Sequence, residues 1–206
     1  MHQPHSNDSD QAVIQQVLTG QRDRFAILVE RYQAPLMRAG KSRLGRNDWA
    51  EDVVQETFLW AFKCLKSYDS QYSFRTWLWT ILWNQCNRHY QKRARQPQVN
   101  LASDGVESRE LRCAIERSTD LEAPPHKLLA KERSERLDAS LGQLPDALAN
   151  ALRLRFFAGL KFHEIADVME CSLSTAKHRV RNGLLKLSQS ISENEFAWDV
   201  STGDAK

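Results

Sequence analysis

Three groups of residues carry chemistry in this sequence, and none of them is catalytic. Asp52, Gln55 and Glu56 stand at i, i+3 and i+4, which on a helix sets two carboxylates and an amide on one face. Such a patch suits a donor-rich protein surface. Residues 88 to 95 hold four Arg or Lys and no carboxylate, directly after a run containing Trp77, Trp79 and Trp83. A cationic helix end attracts phosphate, and aromatic faces upstream of it can stack on unpaired bases. Ser172, Ser174, Thr175, Lys177, His178, Arg179 and Arg181 crowd hydroxyls and cations into the first turns of a third segment. That composition fits base edges and phosphates in the major groove of a duplex.

Helices must position all three groups. Ser73 is an N-cap residue, Trp79, Trp83, Cys86 and Tyr90 recur at helical spacing, and neither Gly nor Pro interrupts before Pro97, so one helix is expected over 73–95. Trp77, beside Leu78 and Ile81, is assigned to the core against Val54, Phe58 and Phe62. The preceding helix, DWAEDVVQETFLWAFKCL, is capped by Asn47 or Asp48 and buries Val54, Phe58, Ala61, Phe62 and Leu65. Its acidic patch lies opposite that stripe. Asp48 and Glu51 complement the dipole of the first turn, an explanation that weakens for Gln55 and Glu56 deeper in the helix. Earlier still, Asp10 opens a short helix ending at Gly20. Asp23 caps a second helix, with Phe25, Leu28, Val29, Tyr32 and Leu36 inward, which Pro35 should kink or end.

In the second half, Pro145 takes the first position of a helix with Leu148, Leu152 and Phe156 on one face, closed by Gly159. Residues 160–187, LKFHEIADVMECSLSTAKHRVRNGLLKL, read as a helix-turn-helix. Ile165, Ala166, Val168 and Met169 mark its first helix and Cys171 the turn. Ser172 caps the second helix, whose buried face is Ala176, Val180, Leu184 and Leu187. Lys161 stands where Ser or Thr would cap the first helix. Glu170 stands where Gly is usual, at a cost of about 1 kcal/mol if it is left-handed. Gly183 costs about 1 kcal/mol relative to Ala and suits a close helix approach.

The 206 residues, 41% of them apolar, suit two small domains, and a net charge of +3 means that any nucleic-acid site arises from local clustering. Residues 47–62 carry four acids and no base, whereas 175–189 carry four bases and no acid. Between the halves, residues 96–127 form a linker with Pro97, Pro124 and Pro125. Within it VESRELRCAIERS offers a transient helix through Leu111 and Ile115. The expected division is therefore 10–95, linker 96–127, 128–191 and an unassigned tail 192–206. Cys64, Cys86, Cys113 and Cys171 are scattered, which argues for reduced thiols and against a disulfide scaffold or zinc. No glycine-rich phosphate loop, nucleophile elbow or paired-carboxylate signature occurs, so neither an enzyme nor a cofactor is expected. With no long apolar run and no leader, the chain is expected to be cytoplasmic, away from membranes.

AEDVVQETFLWAF (50–62), SFRTWLWTILWNQCNRH (73–89), LPDALANALRLRFFAGL (144–160) and HEIADVMECSLSTAKHRV (163–180) together resemble the sigma factors of bacterial RNA polymerase, in particular the two-domain extracytoplasmic-function group. The resemblance implies an all-α fold of two helical domains, region 2 and region 4, joined by a flexible linker. It implies core RNA polymerase, through its β′ clamp helices and β flap, and promoter DNA as partners, with an anti-sigma factor a further candidate. By the same resemblance Asp52, Gln55 and Glu56 align with the face that docks on the clamp helices. The loop from Tyr68 to Ser73, polar with two tyrosines and with Tyr68, Asp69 and Ser73 as its site residues, aligns with the segment that captures a base flipped from the −10 element. Asn84, Arg88 and Lys92 lie on the helix that reads that element. Ser172, Ser174, Thr175, Lys177, His178, Arg179 and Arg181 align with the surface that reads the −35 element. Trp83, Gln85, Ala176 and His178 depart from the family's usual residues and bear on which promoter is read. Tyr68, in the polar loop before the helix, is expected to wall the extruded base. Stacking returns about 1 to 3 kcal/mol per base against an unpairing cost of a few, so opening needs no ATP. A flexible linker of about 32 residues has a span of roughly 30 Å and a limit near 100 Å, which covers one and a half duplex turns of about 34 Å. The rival, a transcriptional regulator of the response-regulator type, would place a receiver domain of alternating strands and helices where residues 10–95 read as helix throughout.

Overall fold

The computed structural model describes the backbone of residues 9–95 and 125–202, and the side chains of 9–92, 129 and 132–190. No strand occurs among the described residues. The first domain is built from α1 (Asp10–Leu18), α2 (Phe25–Leu44), α3 (Asn47–Lys63) and α4 (Phe74–Arg95). The cap of α1 is Ser9, whose Oγ accepts from the Ala12 N–H at 3.2 Å. Asp10 is thereby free to bind α2, accepting from Arg31 and from the Tyr32 hydroxyl. Burial first, and then Asp10, push the Tyr32 phenol up to about 12, so it remains a donor at any ordinary pH.

Two expectations about helix ends are corrected, and one of the two outcomes open at Pro35 is excluded. Asp23 lies inside a 3₁₀ turn, Arg22–Arg24, and does not cap α2. Pro35 does not end α2, which continues to Leu44 and closes on Gly45 at φ 74°. Leu28 and Tyr32 before the proline and Leu36 and Ala39 after it are all buried, so packing on both sides holds the helix across one missing N–H. Neither Asn47 nor Asp48 caps α3, since the N-cap position is Arg46 and no side chain bonds there. Arg46 instead holds Asp48 in a two-pronged ion pair, at 3.0 and 2.6 Å.

Helix α4 fills the centre of this domain. Phe74, Leu78, Trp79, Leu82, Trp83 and Cys86 are buried on it against α2 and α3. The Arg43 guanidinium lies 3.5 Å from the centroid of the Trp83 ring, and the Tyr90 hydroxyl donates to the Arg43 carbonyl, which ties α2 to α4. Where α2 crosses α3, a Cβ on Gly40 would stand 3.3 Å from Ala50 Cβ, so only a small residue lets the backbones approach.

The second domain holds α5 (Pro125–Gln143), α6 (Asp146–Phe156), α7 (Phe162–Val168) and α8 (Leu173–Thr202). Pro125, expected in the linker, begins α5. Pro97, Pro124, Cys113, Leu111 and Ile115, with the transient helix around them, lie outside the described residues. Pro145 is the N-cap of α6, one position before its expected place, and Phe156 is exposed. Helix α8 runs on to Thr202, through the start of the tail that the sequence left unassigned. Its inward stripe also differs from expectation. Leu184 is exposed and Gly183 is buried, because a Cβ there would lie 3.0 Å from Leu152 Cγ and 3.3 Å from the Leu148 carbonyl of α6. Glu170 does adopt the left-handed conformation, at φ 49°.

Trp79→Ala is expected to destabilise the first domain by about 3–5 kcal/mol, as for any large aromatic cut from a core. Leu59→Ala, on the exposed side of α3, should cost under about 0.5 kcal/mol. Urea unfolding followed by circular dichroism compares the two, and equal losses would remove Trp79 from the core.

Candidate polymerase and promoter interfaces

Asp52, Gln55 and Glu56 are exposed on α3, opposite the buried Val53, Val54, Thr57, Phe58 and Ala61. The patch is larger than its sequence pattern suggests. Leu59, Trp60 and Phe62 extend it as exposed apolar side chains, at 58%, 46% and 38%. Phe62 was expected in the core. It is 38% exposed, and its ring packs edge-on against Phe25 at 5.1 Å. Asp48, by contrast, is held by Arg46 at the helix start.

The patch and the basic helix are neighbours. Gln85 on α4 is buried, and in the amide orientation its surroundings dictate it donates to Glu56 Oε2 at 3.3 Å and accepts from Trp60 Nε1 at 3.0 Å. Arg88 stands over the Trp60 ring, 5.5 Å from its centroid. Asn84, Arg88 and Lys92 are exposed and continue a face of α4 that starts with the half-buried Trp77 and Ile81. Trp79 and Trp83 are buried and cannot stack on a base, which leaves the half-buried Trp77 as the tryptophan of the segment nearest the surface. A pocket of about 220 Å³ remains between the helices, with Trp60, Trp77 and Ile81 as apolar walls and Asn84, Gln85 and Arg88 as polar ones. At about 30 Å³ per water that is room for some seven waters, the scale of a planar ring.

The loop before α4 is more ordered than a polar connection. Ser73 caps the helix, accepting from the Thr76 N–H at 3.1 Å. Asp69 accepts from the Gln71 N–H at 2.9 Å and makes an Asx turn. The Tyr68 ring packs edge-on against Phe74 at 5.7 Å and against Trp77 at 5.3 Å, and its hydroxyl donates to the Tyr72 carbonyl at 2.6 Å. Burial first, then Asp10 and Asp69, raise its pKa. Tyr72, within the expected loop but not singled out there, is its exposed aromatic. Only the direction of the two rings distinguishes them, and the alternation of a short polar loop does not encode it.

On α8, Ser174, Lys177, His178 and Arg181 are exposed and fall at i, i+3, i+4 and i+7, one outward face. Thr175 and Arg179 are half-buried at its flank, beside Asn182, which bonds the His178 ring at 3.1 Å. The Ser172 hydroxyl is engaged in the cap, accepting from the Thr175 N–H at 3.1 Å. Helix α7 begins with the Glu164 carboxylate accepting from the Lys161 N–H at 2.7 Å, which stands in for the missing Ser or Thr cap.

Two sequence families match this chain, Sigma-70 region 2 over residues 28–96 and Sigma-70, region 4 over residues 134–187. The RNA polymerase sigma-H factor of Pseudomonas aeruginosa is 30% identical over 176 residues, covering 85% of this chain and 90% of that protein. The chain belongs to the extracytoplasmic-function sigma factors. The ECF RNA polymerase sigma-E factor of Haemophilus influenzae is 28% identical over 173 residues, 84% of this chain and 89% of that relative. The fold is shared with CnrH, solved in complex with the cytosolic domain of CnrY, at a TM-score of 0.66 and 22% identity over 90% of this chain and 99% of that one. It is shared too with the sigma factor RpoE from Bartonella quintana, solved in complex with the anti-sigma factor NepR, at a TM-score of 0.57 and 20% identity over 80% and 96% of the two chains. As a sigma factor the protein binds core RNA polymerase and directs promoter-specific transcription initiation, and it is not an enzyme. A regulator with a receiver domain is not favoured, since residues 10–95 form helices and the region 2 family spans them. Among the described residues, no helix is long and apolar enough to cross a membrane.

Because the Ser172 hydroxyl serves the cap, Ser172→Ala should cost the second domain about 1 kcal/mol. Ser174→Ala, which leaves the Ser172 hydroxyl to accept from the Thr175 N–H and removes only the hydroxyl 2.9 Å from it, should stay within about 0.5 kcal/mol. Thermal unfolding of both variants tests the assignment, and a neutral Ser172→Ala would detach this residue from the helix start.

Proposed function

We propose that this sigma factor works in the cytoplasm, with residues 10–95 gripping polymerase and the −10 element and residues 128–191 reading the −35 element. The observation that supports this most directly is the adjacency on α3 and α4, where an exposed acidic patch borders an exposed Asn84–Arg88–Lys92 stripe through Gln85. Asp52, Gln55 and Glu56 dock on the β′ clamp helices, with Leu59, Trp60 and Phe62 supplying the apolar contact that charges alone rarely provide. The second domain adds contact with the β flap. Asn84, Arg88 and Lys92 follow the opened strand, Ser73 and Asp69 shape the loop at its start, and Tyr68 braces that loop from within. Tyr72 and the pocket beside Asn84 hold the unstacked base. On α8, Ser174, Lys177, His178 and Arg181 face the major groove of the −35 element, while Ser172, Thr175 and Arg179 contact its flank. CnrH and the Bartonella RpoE are solved with bound protein partners, the latter an anti-sigma factor, and a partner of that kind is proposed here too.

Asp52→Ala with Glu56→Ala should weaken core-polymerase binding about tenfold or more, while unfolding shifts by under about 0.5 kcal/mol. Fluorescence anisotropy with labelled factor measures the affinity, and an unchanged value for the folded double variant would take the patch out of the interface. On the DNA side, Tyr72→Ala should leave core binding intact and slow strand opening, read with 2-aminopurine in the −10 element, whereas Tyr68→Ala should also lower the melting temperature through its lost packing on Phe74 and Trp77. Normal opening by Tyr72→Ala would return base capture to the helix. Arg179→Ala should reduce −35 affinity by about 1–3 kcal/mol if the guanidinium reads a base. An equal loss on every sequence, with a salt slope smaller by about 1, would make it a phosphate anchor.

A further inference from the structure

Helix α1 lies ahead of the matched region 2 family, which begins at residue 28, and no residue of α1 is among the sites assigned to polymerase or promoter. The parts of α1 that keep the fold are complete without its first two residues. Val13, Ile14 and Val17 form its buried stripe, and the Ser9 hydroxyl is its cap. Asp10 and Gln11 serve neither, and both reach out of the helix. Asp10 accepts from Arg31 and from the Tyr32 hydroxyl of α2. Gln11, one residue on and exposed, donates its Nε2 amide to the Ser70 carbonyl at 3.3 Å, 59 positions away in the chain. Ser70 sits in the middle of the loop from Tyr68 to Ser73.

We propose that Gln11 is a positioning residue for strand opening, through which α1 braces the loop from outside and holds Tyr72 and its neighbours in place before DNA arrives. The inference rests on the reading of this loop as the site of base capture. Its other hydrogen bonds close the loop on itself. The Tyr68 hydroxyl donates to the Tyr72 carbonyl, the Asp69 carboxylate accepts from the Gln71 N–H, and the Asp69 carbonyl accepts from the Tyr72 N–H at 3.1 Å. Such bonds fix the shape of a loop and leave it free to swing as a unit. Among the described residues, the hydrogen bond that reaches Ser70, Gln71 or Tyr72 from another element is the one from Gln11.

The brace has a firm base, because α1 is held by the same rings that carry the loop. Tyr32, fixed by Asp10, meets Phe74 edge-on at 5.7 Å, and Phe74 meets Tyr68 edge-on at 5.7 Å. Helix α1 also packs on the 3₁₀ turn Leu65–Ser67 that leads into the loop. The place of Gln11 relative to Ser70 is thus set by packed contacts on both sides, and its amide has only its own side chain to order. An exposed neutral bond of this kind adds little to global stability. Its effect falls on the loop, which meets the unstacked base already ordered, so that base capture is spared that cost.

Nitrogen-15 relaxation of the free full-length chain, together with promoter opening by the factor on core polymerase, tests this, the opening being read with 2-aminopurine in the −10 element. Gln11→Met keeps the length, the neutrality and the helix propensity of the side chain and removes the donor. It should take the amide order parameters of Ser70, Gln71 and Tyr72 towards the flexible range, below about 0.6, and slow opening about three- to tenfold. Melting temperature and core-polymerase affinity should stay as they are. Gln11→Glu sets a carboxylate against the Ser70 carbonyl yet favours the start of α1, so it should loosen the loop while raising the melting temperature. Gln15→Met, one turn along the same helix and also exposed, should change nothing. Unchanged order parameters in Gln11→Met, a looser loop that still opens promoters at the normal rate, or the same effects in Gln15→Met would overturn the proposal. The relaxation arm needs neither polymerase nor promoter, and normal opening by Tyr72→Ala marks a failed assignment of the loop to base capture, so the two failures are distinguishable.

Discussion

Everything in the first domain depends on one helix being used on both sides. Trp79 and Trp83, with Leu78, Leu82 and Cys86, bury one face of α4 between α2 and α3, and this burial is the main source of apolar stabilisation where the three helices meet. With that face committed, Asn84, Arg88 and Lys92 are among the residues left outward. The tryptophans that look like a base-stacking platform thus act indirectly, by fixing the rotation of the helix that carries the polar stripe. A helix anchored so deeply holds its polar face still, and the cost of ordering it is met by folding and not by binding DNA.

The same economy links the polymerase face to the DNA face. Glu56 and Trp60 belong to the surface assigned to polymerase, yet both bond Gln85, whose neighbours along α4 are Asn84 and Arg88. A change of rotamer at one surface is therefore felt at the other within a single side-chain layer. In the second domain the equivalent role falls to Gly183, where the absence of a Cβ lets α8 settle on Leu148 and Leu152 and so turns Lys177, His178 and Arg181 to solvent. Its unfavourable helix propensity is offset by that contact.

Between the domains, hydrogen bonds from Arg153 to Ser42 and from Thr76 to Glu164 accompany apolar packing, since one buried apolar cluster includes residues of both, and Phe157 packs against it with Arg38 over its ring. A family of two-domain factors that reads two separated DNA elements has to combine stable domains with a separable contact.

Residue pattern alone determined the all-helical class, the two-domain order, the acidic patch at Asp52, Gln55 and Glu56, the cap at Ser172 and the left-handed Glu170, because each depends on spacing within one helix or on one residue's backbone preference. It failed where a side chain's fate depends on what lies across from it. Phe62, Leu184 and Phe156 are apolar at helical spacing, yet each is exposed. Pro35 was expected to kink α2 or end its first part, and with buried residues on both sides of it the helix continues to Leu44. Tyr68 and Tyr72 share one loop, and only the packing of Phe74 and Trp77 decides which ring turns inward. Arg153, four residues from the end of an ordinary amphipathic helix, has no sequence signature at all. Its partner Ser42 is more than a hundred positions away, and that pairing is set by how two folded surfaces meet.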